Sequence, residues 1–356
     1  MDLKPYRDQI DAIDREIIQR INARVKLAVE IGKIKESLGA EIYVPSREEE
    51  VFKKLASYNQ GPLDERAIRS IYRQIISAAL ALERKLVIAY LGPEATYTHQ
   101  AALKNFGSSV GYLACATVPD IFIAVRRGDA DYGVAPVENS TQGTVISTLD
   151  MLVEENLKIV AQIYLEISQC LISQSPLEKI TAVHSKDNAL GQCRQWLARM
   201  LPNAELVDSP STSHAVRDAA ANPNIAAIAS AVASELYGVP IVRESIQDKA
   251  DNITRFLVIG KKPTSALGGG RDKTSIAFTL HSEPGSLLRA LRFFSDRNIN
   301  LVKIESRPSR QKVWDYLFYL DFMGHHDEPD VQEALDELRK SSPMVKWLGS
   351  YPDTGI

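Results

Sequence analysis

Apolar and polar positions follow a helical period over the first 86 residues. Apolar side chains recur at spacings of three and four, at Ile10, Ile13, Ile17, Ile21, Val25 and Ala28. This period predicts an amphipathic helix. The first helix-breaking residues, near Gly39, allow it about 30 residues, or roughly 45 Å. Two further helices are predicted at 47–58 and 63–84, on either side of a Gly61-Pro62 turn.

The first of these three helices is much longer than the other two, so its apolar stripe extends beyond any partner in the same chain. A second copy of the chain can cover the overhanging part. We therefore expect an all-α domain over residues 1–86 that forms an intertwined dimer. A helical coiled-coil adaptor without catalytic activity is the competing interpretation.

From Val87 the apolar runs become short and alternate with helical segments. The runs that are typical of strands are VIAYLG, DYGVAPVEN, LKIVAQI, ITAVHS, IAAIAS and ITRFLVIG. They predict an α/β domain with a largely parallel sheet over residues 87–262. The domain is long enough for two lobes, and folds of this class bind ligands in a crevice at the strand ends.

A glycine-rich segment separates this domain from the last one. Residues 263–271 include Pro263 and the run Gly268-Gly269-Gly270, a composition that predicts a flexible linker. Beyond it, strands are predicted at 275–280, 301–305, 313–321 and 345–351, with helices at 285–294 and 329–341. This order of elements predicts an α+β ferredoxin-like domain over residues 272–356.

Composition narrows the possible functions. The 356 residues are 45% hydrophobic and 24% charged, as in globular proteins with substantial cores. The net charge of −3 gives no reason to expect binding to nucleic acid or a membrane. The sequence has no apolar leader and no apolar span of about 18 residues, so we expect a cytoplasmic protein. The spacing of the cysteines and histidines predicts no metal site, and no nucleotide-binding motif indicates a cofactor.

Three cations accompany the apolar stripe of the first helix. Arg24 and Lys35 are separated by about 16 Å along the axis and only about 20° around it, so their side chains can bracket a small dianion. Arg7 lies about 25 Å from Arg24 along the same helix and can only serve a site completed by a second chain. Solvated or snorkelling side chains are the alternative interpretation of each cation.

The segments YRDQIDAIDREIIQRINARVKLAVEIGKIK, YVPSREEEV and IYRQIISAALALE closely resemble the all-helical chorismate mutase family over nearly all of residues 1–84. The resemblance implies that cationic side chains hold the carboxylates and the ether oxygen of chorismate. These are Arg24, Lys35 and Arg47, together with Arg7 contributed by a second chain. Arginine suits bidentate capture of a carboxylate, and lysine supplies a compact charge.

The rearrangement of chorismate to prephenate needs no nucleophile and no metal, only a folded substrate and stabilisation of charge on the ether oxygen. By the same resemblance, Glu48 accepts a hydrogen bond from the ring hydroxyl and Glu83 faces the ether oxygen. An ionised Glu83 would repel the growing charge, so we expect it to act protonated and mutase activity to fall as the pH rises. Val44 and Ala79 would line the pocket through backbone or steric contact alone.

Three stretches of the α/β region place hydroxyl, amide or charged groups beside apolar strands, where the crevice is expected. They are GPEATYTHQAA, PVENSTQGTV and DNITRFLVIG. Helix caps and turns are the alternative explanation for these groups. Together with SKDNALGQC, STSHAV and ESIQDKADNITRF, the stretches resemble prephenate dehydratases over about residues 87–262. The resemblance implies a bilobal fold like that of periplasmic binding proteins.

This resemblance implies loss of carbon dioxide and water from prephenate to give phenylpyruvate. It assigns to the site Glu138, Asn139, Ser140, Thr254, Arg255 and Phe256. Thr254 would supply the essential hydroxyl and Arg255 an anion anchor. A threonine hydroxyl is a weak acid, so we expect Thr254 to donate a hydrogen bond or relay a proton. Glu138, if burial raises its pKa, is the expected proton source.

The last domain, with HSEPGSLLRAL and NLVKIESRPSR, resembles the amino-acid-binding ACT domains of this enzyme family. The turn Glu283-Pro284-Gly285-Ser286 opens a helix whose free amides suit a carboxylate, and Gly285 permits close approach of a ligand. The resemblance implies a phenylalanine site where two such domains pair, with Glu305-Ser306-Arg307 nearby. A dimerisation domain without a ligand is the alternative.

Taken together, the resemblances imply a multidomain enzyme of phenylalanine biosynthesis that is a homodimer or larger, uses no cofactor and is inhibited by phenylalanine. Two other interpretations of the central domain stay open. In one, the domain is a dehydratase that accepts arogenate. In the other, it is a module that binds small anions and has no dehydratase activity.

Overall fold

The computed structural model describes residues 2–249, 251–308 and 316–355. Its contacts divide the chain into two compact units. The first consists of Met1–Val87 and Leu103–Gly111, and the second of Ile88–Ala102 and Tyr112–Ile356. No helix in the described ranges is both long and apolar enough to cross a membrane.

Three helices form most of the first unit, as the apolar period predicts. They are α1 (Lys4–Ser37), α2 (Pro45–Tyr58) and α3 (Glu65–Glu83). Proline stands in the first turn of α2, where its missing N–H costs nothing. α3 begins where the Asp64 carboxylate accepts a hydrogen bond from the Ala67 amide at 2.7 Å, which satisfies one of the free amides of the helix end.

The long helix α1 is covered only in part by its own unit. It packs on α3, and Gly32 is its one buried residue among those described. Along its first half, Ile10, Ile13 and Ile17 are 55%, 57% and 47% exposed. Residues 103–111 also belong to this unit, and there Phe106 packs on Tyr43 with ring centroids 4.8 Å apart.

A six-stranded sheet forms the first lobe of the central domain, with strands in the order β2-β1-β3-β11-β5 and β4 paired to β3. Its elements are β1 (Val87–Leu91), α4 (Tyr97–Phe106), β2 (Gly111–Cys115), α5 (Val118–Arg127), β3 (Tyr132–Asn139), β4 (Gly143–Thr144), α6 (Ile146–Glu154), β5 (Lys158–Glu166) and, much later in the chain, β11 (Ile253–Gly260).

The second lobe lies between β5 and β11 in the chain and is built on a sheet of order β10-β6-β9-β7-β8. Its elements are β6 (Cys170–Ile172), a short 3-10 helix (Leu177–Lys179), β7 (Ala182–Ser185), α7 (Asp187–Gln192), α8 (Arg194–Met200), β8 (Glu205–Asp208), α9 (Thr212–Ala221), β9 (Ile225–Ala229), α10 (Ala231–Tyr237) and β10 (Ile241–Arg243). Two chain segments therefore connect the lobes, as expected for a bilobal fold.

The expectation of a largely parallel sheet is wrong for the middle of the first lobe. β1 pairs with β3 in parallel, but β11 is antiparallel to both of its neighbours, β3 and β5. The reason is the path of the chain, because β11 returns from the second lobe and enters the first sheet from the opposite end.

The C-terminal domain has the predicted ferredoxin-like topology. Its elements are β12 (Asp272–Thr279), α11 (Ser286–Ser295), β13 (Leu301–Pro308), β14 (Tyr316–Met323), α12 (Pro329–Ser341) and β15 (Met344–Pro352). The strands are antiparallel in the order β13-β14-β12-β15. The predicted strand 313–321 is described only from Tyr316, since 309–315 lie outside the described residues, as does the end of the quoted stretch NLVKIESRPSR.

The C-terminal and central domains belong to one compact unit, and their sheets pack face to face. β15 lies against β5. Gly349 has a φ of +154°. A Cβ at this position would overlap the backbone of Ile159 and would lie only 2.8 Å from the Ile159 nitrogen. The two backbones therefore approach more closely than any residue with a side chain allows.

Candidate active sites

In the helical unit, the structure brings together the two cations of α1 and the carboxylate at the end of α3. Burial raises the pKa of Glu83, while Lys35 and Arg24 act on it in the opposite direction. Lys35 Nζ donates a hydrogen bond to the Ile42 carbonyl at 2.8 Å. Space for Glu83 exists because the facing residue is Gly32, where a Cβ would lie 2.8 Å from Glu83 Cγ.

Glu48 has a protein partner that the sequence analysis did not predict. Arg73 Nη1 donates to Glu48 Oε2 at 2.5 Å, and both side chains are nearly buried. Burial raises the pKa of Glu48, and Arg73 opposes this shift. The Arg73 guanidinium also lies 4.9 Å from the centre of the Phe52 ring. The apolar surroundings of Arg73 in the sequence are the signal that could have singled it out.

The other predicted mutase residues are spread over the unit. Arg7 is exposed near the start of α1, about 25 Å along the helix from Arg24. Arg47 is exposed and pairs with Glu50 at 2.7 Å. Val44 precedes α2 and is partly buried, whereas Ala79 is buried at 3% exposure. Within one chain the electrostatically linked group consists of Arg24, Lys35 and Glu83.

In the central domain, Thr254 and Asn139 are register partners on the neighbouring strands β11 and β3. Asn139 Nδ2 donates to Thr254 Oγ1 at 2.8 Å and to Asn252 Oδ1 at 2.7 Å. All three side chains are buried. Two strands and the segment that enters the second of them thus deliver a compact polar group.

The loop after β3 fixes the orientation of Asn139. Its Oδ1 accepts hydrogen bonds from the Thr141 amide (2.9 Å), the Thr141 hydroxyl (2.6 Å) and the Gln142 amide (3.1 Å). The NH₂ end of Asn139 must therefore face Thr254, whose oxygen accepts, so the Thr254 proton is directed elsewhere. Within the described part of the chain, Asn252 Nδ2 is buried without a hydrogen-bond partner. Asn252 thus offers a buried donor, and Asn252, unlike Thr254, also lines the adjoining cavity.

A cavity of about 850 Å³ is lined by Asn252 and Thr141 from this polar region, a volume that suits a small metabolite. Gln142 of the same loop adds to this wall, and the remaining lining residues come from the second lobe and from the segment that returns to β11. Gln192, Arg194 and Lys249 supply an amide and two cations there. Three carboxylates also line the cavity, those of Asp187, Asp208 and Asp248, and the last two accept hydrogen bonds from backbone amides of the second lobe. Gln192 and Asn252 lie in stretches that carry the resemblance, but no local pattern marks either residue, because their approach depends on how the lobes fold together.

Two predicted site residues, Glu138 and Arg255, face away from this polar group. Successive residues of a strand point to opposite faces of the sheet, and Glu138 and Arg255 are the register partners directly next to Asn139 and Thr254. Lys303 Nζ lies 2.9 Å from Glu138 Oε2. Arg255 is bound by residues of the C-terminal domain. We therefore revise both expectations, the proton source at Glu138 and the anion anchor at Arg255.

The contacts of Phe256 and Ser140 show that both side chains support the fold. Phe256 is 1% exposed and belongs to the core. The Ser140 hydroxyl donates to the Asp251 carbonyl at 2.9 Å and accepts from the Ile253 amide at 3.0 Å. Ser140 thus joins the end of β3 to the start of β11, which holds Asn139 and Thr254 at the same level of the sheet.

The predicted effector turn has the expected backbone. Gly285 adopts a φ of +79° and precedes α11, and no side chain caps this helix end. Glu283 lies 3.5 Å from Arg289 in an exposed ion pair. Pro284 and Ser286 flank the glycine and complete the turn, with Arg289 Nη1 donating to the Pro284 carbonyl at 3.2 Å.

The second predicted effector segment, on β13, faces the central domain with every other residue. Glu305 accepts from the Thr144 hydroxyl at 2.9 Å. Arg307 pairs with Asp150 and donates to the Ile146 carbonyl at 3.2 Å. Ser306, between them, is exposed. Glu305 and Arg307 therefore contact the central domain in this structure.

Within the ranges 2–249, 251–308 and 316–355, no three His, Cys, Asp or Glu side chains form a group that could hold a metal ion. Cys115, Cys170 and Cys193 are buried and free.

Three family models match the chain one after the other. Chorismate mutase type II matches residues 6–84, Prephenate dehydratase residues 88–264 and ACT domain residues 274–340. Curated relatives match over nearly the full length. A bifunctional chorismate mutase/prephenate dehydratase of Aquifex aeolicus is 46% identical over 99% of this chain and 98% of its own. One of Neisseria gonorrhoeae is 42% identical over 98% and 97%.

Solved structures resemble the central and C-terminal regions. The prephenate dehydratase of Arthrobacter aurescens in complex with L-Phe has a TM-score of 0.70 and 32% identity, over 75% of this chain and 90% of that chain. GqqA, described as a novel type of quorum quenching acylase, has a TM-score of 0.69 and 27% identity, over 75% and 98%. Since one fold carries both descriptions, its activity must be argued from side chains.

Proposed function

The chain belongs to the family of bifunctional chorismate mutase/prephenate dehydratases, and on this premise we propose that its helical unit converts chorismate to prephenate and its central domain converts prephenate to phenylpyruvate. The C-terminal domain binds phenylalanine and inhibits the second step. The whole chain then forms the keto acid precursor of phenylalanine under control by the end product.

The grouping of Arg24, Lys35 and Glu83 supports the mutase half of this proposal. In the rearrangement one C–O bond breaks as a C–C bond forms, and negative charge grows on the ether oxygen. Lys35 stabilises this charge, Arg24 holds a carboxylate, and Glu83 in its acid form donates a hydrogen bond to the oxygen. The raised pKa of Glu83 keeps that acid form available to higher pH.

We propose that the mutase site is completed by a second chain. α1 leaves Ile10, Ile13 and Ile17 exposed, and burial of such an apolar stripe is a strong driving force for association. Arg7 would then reach the pocket of the partner, in accord with its distance from Arg24. A homodimer and a cytoplasmic location are both part of this proposal.

The hydrogen bond from Asn139 to Thr254 carries the dehydratase half of the proposal most directly. When the ring carboxylate leaves as carbon dioxide, its electron pair makes the ring aromatic and expels the ring hydroxyl, which takes a proton and departs as water. Asn139 occupies an acceptor position of Thr254 and so directs the Thr254 O–H towards the departing oxygen. Asn252 Nδ2 and the cations Arg194 and Lys249 are suited to the substrate carboxylates.

Removal of the Thr254 hydroxyl tests this site. Thr254→Ala is expected to lower kcat for prephenate at least about 100-fold, the usual range for a proton-donating group, while Thr254→Ser keeps most of the activity. Thr181→Ala is the matched control, because its exposed hydroxyl makes one long bond of 3.4 Å to Asn224. Formation of phenylpyruvate is measured for all three. Full turnover by Thr254→Ala would exclude the proposed role.

Arogenate is the alternative substrate. It carries an ammonium group where prephenate carries a keto group, so the two differ by a full charge at the side chain. Turnover of each substrate by the same preparation decides between them, and prephenate is expected to be preferred. Binding of either without turnover would instead support a small-anion binding module.

A further inference from the structure

Arg255 is the residue next to Thr254 in β11, and it links that strand to the C-terminal domain. Its Nε donates to Gln162 Oε1 at 3.0 Å on β5, its Nη1 to Asp321 Oδ2 at 2.6 Å on β14, and its Nη2 to Tyr351 Oη at 2.7 Å on β15. Every nitrogen of the guanidinium is thus bound, and two of the three partners lie in the C-terminal sheet.

The partners of Arg255 are themselves fixed. The Ser275 hydroxyl donates to Asp321 Oδ1 at 2.6 Å and lies 2.7 Å from the Tyr351 hydroxyl. Arg255, Asp321 and Tyr351 are 7%, 9% and 0% exposed. A buried ion pair of this kind tolerates loss of one partner poorly, because the remaining charge cannot reach water.

A second ion pair connects β3, the neighbour of β11, to the C-terminal sheet. Lys303 Nζ on β13 lies 2.9 Å from Glu138 Oε2 on β3. Glu138 and Arg255 are register partners in the central sheet, and Lys303 and Asp321 are register partners in the C-terminal sheet. The four residues form a closed set of two cross-strand pairs joined by two ion pairs. We name this set the rear clamp.

The rear clamp lies directly behind the proposed dehydratase group. Thr254 and Asn139 are the next pair of register partners along the same two strands, and their side chains point to the other face. A shift of β13 relative to β14 would separate Lys303 from Asp321, and the clamp would pass that displacement to β3 and β11. The spacing of Asn139 and Thr254 would change with it.

We propose that the rear clamp positions Thr254 and Asn139, with Arg255 as the principal positioning residue, and that the C-terminal domain controls the dehydratase reaction through this clamp. The inference rests on the proposed dehydratase function and adds the physical connection between the two domains. Phenylalanine inhibits if it binds better to the arrangement of β13 and β14 in which the clamp spreads the two strands.

The expected loss of rate follows from how sensitive catalysis is to the position of a catalytic group. A displacement of about 1 Å in a catalytic group costs about 100-fold in rate. The clamp therefore acts mainly on kcat, since Arg194 and Lys249, the cations proposed for the substrate carboxylates, lie outside β3 and β11. KM should change little.

Asp321→Asn tests the proposal in the full-length protein, because it removes the charge and keeps the shape of the side chain. We expect kcat for prephenate to fall at least about tenfold with KM within about twofold, and inhibition by saturating phenylalanine to become at least about fivefold weaker. Asp321→Glu restores the carboxylate and is expected to recover part of kcat. Thermal unfolding and circular dichroism of each variant report whether the unit that contains the clamp is folded.

Lys346→Gln is the matched control. Lys346 Nζ donates to the Val153 and Glu155 carbonyls at 2.6 Å and 2.7 Å, so it joins the same two domains without touching β3 or β11. This variant is expected to keep kcat and inhibition by phenylalanine. If Asp321→Asn and Lys346→Gln behave alike, the proposal is overturned.

A milder variant covers the case in which Asp321→Asn does not fold. Tyr351→Phe removes one hydroxyl partner of Arg255 and keeps both charges, and kcat is expected to fall at least about threefold with KM unchanged. Wild-type kcat and inhibition in Tyr351→Phe would then overturn the proposal. Absence of dehydratase activity in the wild-type protein would instead contradict the proposed function itself.

Discussion

Two opposing influences act on Glu83. Burial raises its pKa, and the charges of Lys35 and Arg24 lower it, with a net shift upward. The neutral acid can donate a hydrogen bond to an oxygen that gains negative charge, whereas the carboxylate would repel it. At about 4 Å and an effective dielectric constant of about 20, such repulsion costs about 4 kcal/mol. The protonation state of one side chain thus determines whether the cationic group can work.

The pH profile of the mutase follows from this arrangement. Because the folded pKa of Glu83 is raised, the acid form is populated below that value and is lost as the pH rises through it. We expect kcat/KM for chorismate to fall at least about tenfold between about pH 5 and about pH 9, and Glu83→Gln to flatten the profile. A flat wild-type profile over this range would contradict the role of Glu83.

Residue roles could be read from the sequence only where the partners share one element or a short stretch. Arg24 and Lys35 lie on one face of one helix, and helical geometry alone brings them together. The partners of Arg255, in contrast, are distant from it in the sequence. Its main partner, Asp321, follows 66 residues later in another domain, so no local pattern distinguishes a buried structural arginine from an anion anchor.

At the scale of elements, strand alternation places neighbouring residues of β11 and β3 on opposite faces of the sheet. Thr254 and Asn139 bond to each other on one face, where we propose the dehydratase site, and Arg255 and Glu138 face the C-terminal sheet. The helices could be predicted closely because their apolar period is strong. The direction of β11 could not, since a strand that returns from the other lobe has the same apolar run as a parallel one.

The close packing of α1 on α3 gives a prediction about Gly32. Alanine is the better helix former by about 1 kcal/mol, so Gly32→Ala should not lower the free energy of unfolding through helix propensity. Its Cβ, however, would lie 2.8 Å from Glu83 Cγ and 2.9 Å from Glu83 Oε2. We expect Glu83 to move and kcat for chorismate to fall at least about tenfold.

Glu36→Ala, at an exposed position one turn further along the same helix, is the control for Gly32→Ala and should keep mutase activity. Dehydratase activity of both variants should equal that of the wild type, and thermal unfolding compares their stability. Wild-type mutase activity in Gly32→Ala would show that Glu83 does not occupy the position assigned to it.

At the scale of the whole molecule, three regions with different architectures act in series. The order of helical, α/β and ferredoxin-like regions was predictable, because each has its own hydrophobic period. The glycine-rich segment 263–271 predicted a boundary but not the packing beyond it. The central and C-terminal domains share one compact unit, held by buried contacts between distant residues such as Gly349 and Ile159.

The assignment of two consecutive reactions to two separate sites is tested most directly by a pair of complementary variants. Lys35→Ala should form phenylpyruvate from prephenate at the wild-type rate but lose at least about 100-fold of its activity on chorismate. Thr254→Ala should convert chorismate to prephenate normally and accumulate it. The account is contradicted if either variant loses both activities while folded, or if Thr254→Ala still releases phenylpyruvate at the wild-type rate.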